Sequence, residues 1–267
     1  MKKMILTFSM GLLIVAVHGQ QTQGRIVYER TVQLKMDFQG MGDEAGHAMP
    51  TSHKEKLEVL FGNNQSLRRA VEEDAPDEMA EGPGDGVHIR MDVAGDKDII
   101  YNNFSTGQSV EQREFGPKNY IITDSIPHLH WKLTGETTTI LNYPCQQAIT
   151  QRIGKRREAS MENGEMKSRE VADTANIIAW FTPTIPVPAG PELQGQLPGL
   201  ILGLDVHDGR VVYKATEVAP QTELSAIKAP SRGKKVTASE FEAEREKMIA
   251  EMQKNAGKGR NMIRIGG

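Results

Sequence analysis

A single cysteine, Cys145, stands in the 267 residues. No internal disulfide can form, so packing alone must hold the fold, even in an oxidising compartment. Nothing flanking Cys145 would depress its pKa, so the residue reads as a small buried hydrophobe on a strand. Aromatic residues make up only 5% of the chain, which argues against a stacking platform for carbohydrate. Basic charge is not in excess either: 32 Lys and Arg face 35 Asp and Glu. With no basic stripe, nucleic acid is set aside as a partner. The chain also lacks a Gly-x-Ser-x-Gly elbow, a phosphate-binding glycine loop and a His-Glu-x-x-His zinc motif. Nothing therefore points to catalysis, and no cofactor is expected.

What is present begins with a leader. "MKKMILTFSMGLLIVAVHGQ" joins a basic start, Lys2 and Lys3, to an apolar stretch of signal-peptide length. Val17 and Gly19 are small enough for the cleavage subsites, so residues 1–19 read as a signal peptide, with Gln20 first in the mature chain. The run is short for a membrane span, and no cysteine follows it to accept a lipid. The expectation is export to the periplasm or cell envelope of a Gram-negative bacterium, with no integral membrane segment after cleavage.

Residues 20–228 read as one antiparallel β domain. Ile26, Tyr28, Val32 and Leu34 alternate with polar residues. So do Leu57, Val59 and Phe61, and then Val87, Ile89, Met91 and Val93, the period of a half-buried strand. Gly62-Asn63-Asn64, Ala94-Gly95-Asp96, Asn163-Gly164 and Asp208-Gly209 separate the runs and supply the positive φ that tight hairpins need. The fold class is mainly β, a meander forming a curved sheet or partly open barrel. Residues 37–52 and 72–86 are rich in Gly, Pro and acids and predict mobile loops. Residues 229–267 predict an amphipathic helix and a basic, Gly-rich tail. Thr237 and Glu240 form a capping box, and Phe241, Met248, Ile249 and Met252 share a face.

Between 181 and 202 the chain reads "FTPTIPVPAGPELQGQLPGLIL". Proline fixes φ and cannot donate to a ladder, so this tract predicts an extended, edge-lying path. Pro198-Gly199 predicts a type II turn, after which Leu200, Leu202, Leu204 and Val206 point to one face of a strand and enter the core. Together, "WKLTGETTTILNYPCQQA" (131–148), "AWFTPTIPVPAGP" (179–191) and "QLPGLILGL" (196–204) resemble the GLPGLI family. Its members are exported proteins of unknown function, found mainly in one phylum of Gram-negative bacteria. The landmarks fall on Trp131, Tyr143, Cys145, Ala148, Trp180, Thr182, Ile185, Pro186, Gly190, Pro191 and Leu197 to Ile201. Gln196 replaces the first glycine of the naming motif, and a polar insertion, "GKRREASMENGEMKSREVAD", separates the Cys and Trp strands. The strand-rich layout of the family looks like that of carriers of lipidated proteins, so the resemblance implies an apolar concavity. Trp131, Trp180, Pro198 and Leu200 would line it, holding an apolar ligand or an outer-membrane protein partner.

Two metal readings compete with that one. His128 and His130 flank Leu129 and, on a strand, would share a face as ligands for a borderline metal. His47, Met49 and His53 combine imidazole and thioether in a way that suits copper(I). Against calcium, the acids from Glu72 to Glu81 lack alternate ligand spacing with a central glycine. Asp205, His207 and Asp208 resemble part of a triad but surround an Asp-Gly turn, which accounts for them.

Overall fold

A computed structural model describes residues 21–33, 52–71, 95, 97–162 and 165–259; side chains of 155–170 and 252–259 fall outside the description. The expected leader, His47, Met49, the 87–93 strand, the Asn163-Gly164 turn, the loop 37–52 except Ser52, and all of 72–86 lie outside the described residues. The strands are β1 (Gly24–Gln33), β2 (Ser52–Gly62), β3 (Gln65–Ala70), β4 (Ile99–Asn103), β5 (Gln108–Phe115) and β6 (Lys118–Ser125). They continue as β7 (Lys132–Ile140), β8 (Tyr143–Glu162), β9 (Glu165–Thr182), β10 (Leu200–Val206), β11 (Val211–Ala219) and β12 (Lys234–Val236). A helix, α1 (Ala238–Gly259), follows.

All twelve described strands join one sheet in the order β12-β6-β5-β4-β3-β2-β1-β11-β10-β9-β8-β7. Only β12 with β6 is parallel; every other pairing is antiparallel. The sheet is open, since β12 and β7 sit at opposite ends and do not pair. The expected mainly β, antiparallel meander is what forms, as an open sheet that does not close into a barrel. The turn chemistry explains the hairpins. Asn63 and Asn64 both take positive φ, 51° and 56°, as a two-residue turn whose twist matches its strands requires. Leu141 and Asn142 do the same at 48° and 66° without any glycine.

The described residues form three cores, and the two largest lie on opposite faces. Leu60, Leu67, Tyr101, Val110 and Ile121 form the smaller one under Ile227. The larger collects Ile26, Tyr28, Leu57, Val59, Phe61, Ile177, Ala179, Phe181, Leu204 and Tyr213. Its cover is the proline-rich segment 183–199, which does not lie along an edge. It crosses the face as a strap. Ile185, Val187 and Ala189 are buried while Pro183 and Pro186 between and before them are exposed, and Pro191 further on is buried. Val187 N to Ile185 O and Ala189 N to Val187 O, both 2.8 Å, close successive three-residue turns. Leu200 N to Ile185 O and Ile201 N to Ala189 O, both 3.0 Å, tie the strap to β10.

Gly199 shows why glycine ends the strap. It has no positive φ, so the expected type II turn does not form; instead a Cβ there would sit 2.2 Å from Thr182 O. Glycine is required by close approach of two backbones. A bulge between Ile201 and Gly203 corrects the facing of β10 as well. Ile201 opposite Phe181 and Leu204 opposite Ala179 share a face, so Leu200 does not share theirs. Leu200, Leu202, Leu204 and Val206 are nonetheless all buried.

At the far edge, α1 begins with the expected capping box: Glu240 N donates to Thr237 Oγ1 at 3.2 Å and Thr237 N to Glu240 Oε2 at 2.7 Å. Phe241, buried, packs edge-on against Tyr120 at 5.2 Å. No helix among the described residues is long and apolar enough to cross a membrane.

Candidate functional site

Among the described residues singled out from the sequence, Trp131 and Trp180 pack against the large core that contains Leu200. Leu200 is sealed in the large core. Pro198 is exposed on the strap. Trp180 alternates with buried Ala179 and Phe181, so it faces the other way, beside Gly203 and Ile140. Trp131 is half-buried just before β7 and its indole Nε1 donates to Gln196 Oε1 at 3.0 Å, an oxygen that also accepts from Leu129 N at 2.8 Å. Gln196, the departure from the motif glycine, thus ties the strap to the segment ahead of β7.

His128 and His130 do not lie on a strand; residues 127–131 are irregular and both histidines are exposed. Among the described residues no group of three or more His, Cys, Asp or Glu could hold a metal ion. His53 sits on β2 opposite Val32. Cys145 is buried, its Sγ is 3.4 Å from Tyr143 O, and burial raises its pKa, which keeps the thiol protonated. Asp205 Oδ1 accepts Gly209 N at 2.6 Å, so the acid caps its own turn.

Two features that sequence reasoning missed stand out instead. The first is a ribbon. From Gln151 opposite Asn176 to Glu162 opposite Glu165, β8 and β9 pair only with each other. Those twelve pairs extend about 40 Å beyond the sheet at ordinary strand rise. Its base is clamped: His207 N donates to Asn176 O at 2.7 Å, and Gln151 Nε2 donates to Asn176 Oδ1 at 2.9 Å. Ile153, on the ribbon, is 82% exposed.

The second is a charged seam on the strap face, between the large core and Phe241. Residues directly opposite in antiparallel pairs share a face. Tyr213, Arg30 and Glu55 are opposite in turn, as are Val59, Arg68, Ile100 and Glu111. Arg30 Nη1 donates to Glu55 Oε1 at 2.6 Å and its guanidinium lies 5.9 Å from the Tyr213 ring centre. Burial opposes its charge, but Tyr213, Glu55 and Glu192 outweigh that and raise its pKa. The Tyr213 hydroxyl donates to Glu192 of the strap; burial, then Glu192, raises its pKa. Ser66 Oγ donates to Gln194 Oε1 at 2.6 Å. Arg113 is held by Glu111 at 2.7 Å and lies 3.3 Å from Asp98. Burial raises the Asp98 pKa despite Arg113 and Arg68. A polar face covered by polar strap residues is what a strand's alternate positions alone could not reveal.

Residues 131–203 match the family model described as "Protein of unknown function (Porph_ging)". That stretch runs from Trp131 through β7, β8, β9 and the strap into β10, so it contains both the ribbon and the strap. No curated protein matches the chain. Among solved structures it is similar to "Structure of PNGF-II in P21 space group", at 15% identity and a TM-score of 0.49 over 83% of this chain. A second, "Structure of PNGF-II in C2 space group", gives 16% and 0.49 over the same share. The chain spans 32% of the length of each.

Proposed function

We propose that this is an exported cell-envelope protein of the GLPGLI family that has no catalytic activity and binds a partner protein through the β8–β9 ribbon. The observation that carries the reading is the twelve-pair run without a third strand. An isolated two-stranded hairpin is marginal in water. Its outer edges present unpaired backbone groups, which are templates for added strands or contact with another chain. A protein partner suits the geometry better than an apolar ligand. The large apolar face is already occupied by Ile185, Val187, Ala189 and Leu197 of the same chain. Membership of the GLPGLI family rests on Trp131, Tyr143, Cys145, Trp180 and Leu197 to Ile201, all within the matched stretch.

The test is photo-crosslinking in cells from a reactive residue placed at Thr174, on the ribbon, and at Lys214, an exposed position on the sheet body. A discrete adduct from Thr174 that is missing from Lys214 is expected, with the crosslinked protein identified by mass spectrometry. No adduct from Thr174, or the same adducts from both positions, defeats the reading.

A further inference from the structure

The seam contains three arginines, and they are not equivalent. Arg30 has Glu55, and Arg113 has Glu111 and Asp98. Glu192 is engaged by the Tyr213 hydroxyl. Arg68 is hydrogen-bonded or ion-paired to none of these acids. It is 5% exposed, its Nε is sealed without a hydrogen-bond partner, and no hydrogen bond or ion pair joins it to any described residue. Its terminal nitrogens are not among the sealed atoms. A guanidinium so withdrawn from water is costly unless an anion and good hydrogen bonds compensate it. A buried polar group without a partner calls for a missing one.

We propose that Arg68 is the receptor for a small monocarboxylate that reaches the seam from solvent and is held through the terminal nitrogens of the guanidinium. Three features select that chemistry. Planar carboxylate oxygens match the guanidinium fork in pairs. Asp98, which senses the Arg68 charge, and Glu111 and Glu192 nearby add negative field, so a singly charged anion is tolerated better than a phosphate dianion. With Arg68 only 5% exposed, a small anion reaches its terminal nitrogens more readily than a bulky one.

Saturation-transfer NMR on the mature protein tests this, with acetate, propionate and inorganic phosphate as probes at constant ionic strength; phosphate is followed by its effect on the acetate signal. A saturable acetate and propionate signal is expected, lost in Arg68→Met and weakened at least tenfold in Arg68→Lys, which keeps the charge without the fork. Phosphate should compete weakly. Should Arg68→Met not fold, the Arg68→Lys comparison decides alone. No saturable signal, an undiminished signal in the variants, or phosphate displacing acetate at lower concentration than acetate itself binds would each overturn the proposal.

Discussion

On the strap face, the sheet around Phe181, Leu204 and Tyr28 is dry, and from Tyr213, Arg30 and Glu55 across Arg68 to Glu111 it is charged, although one segment faces both. Where the strap offers Ile185, Val187 and Ala189, the strands beneath present Phe181, Leu204 and Tyr28. Where it offers Glu192 and Gln194, they present Tyr213 and Ser66. The chemistry of the covering segment, more than strand propensity, decides which alternate positions become core. The dry side is stabilised by area removed from water, roughly 2 kcal/mol for each fully buried leucine. The charged side depends on every group finding a partner.

The strongest way to break the dry side is at the crossing of backbones. Gly199→Val places a side chain where even a Cβ would be 2.2 Å from Thr182 O. The strap must lift, and a loss above about 4 kcal/mol is expected in urea unfolding. Leu202→Ala, at a sealed position, should cost about 3 kcal/mol. If Gly199→Val melts like the wild type, the strap is not what closes this face.

On charged groups the comparison sharpens. Arg30→Met removes a paired guanidinium and leaves Glu55 behind, an expected loss of about 3 kcal/mol. Arg68→Met removes an unpaired one and is expected to change stability by less than about 1 kcal/mol, or to raise it. Glu58 on the opposite face supplies a third case. Arg25 at 2.5 Å and Arg69 at 2.7 Å hold its carboxylate. Although burial raises its pKa, those hydrogen bonds outweigh burial and lower it. A lowered carboxylate stabilises above its unfolded pKa of about 4.3 and loses that as pH falls through the folded value. Asp98 runs the other way: its raised pKa costs stability above the folded value and the cost is relieved as pH falls. In Glu58→Gln the acid loss of stability should shrink, with about 2 kcal/mol lost at pH 7. An unchanged acid limb would show that Glu58 is not titrating there.

Much of this architecture was legible in the sequence because its signals are local. Asn63-Asn64, the alternation from Ile26 to Tyr28 and the Thr237–Glu240 box each specify their element within a few residues. The strap was legible as stiff and extended but not in its position, since a proline tract excludes a central strand without saying which face it crosses. Arg68 was illegible for a related reason. "SLRRAV" alone does not show that Arg68 is buried between Val59 of β2 and Ile100 of β4. Gln196 was read as a weakened motif, and its bonds to Leu129 and Trp131 depend on a fold the motif cannot express.

The gentlest predictions concern the contrast between sheet and ribbon. Residues 177–181 of β9 have strands on both sides, and those from 165 to 175 have only β8. In hydrogen exchange on the purified protein, amides of 177–181 should open only with global unfolding, and the ribbon should exchange by local opening. Replacing 154–173 with a two-residue turn should then shift stability by less than about 1 kcal/mol, because the strand pairs it deletes have no third strand beside them. Ile153→Thr should have the smallest effect, within about 0.5 kcal/mol, since the side chain is already 82% exposed. A larger loss in the isolated protein would mean that the ribbon folds back onto its own sheet, and a surface occupied in that way would not be available to a second chain.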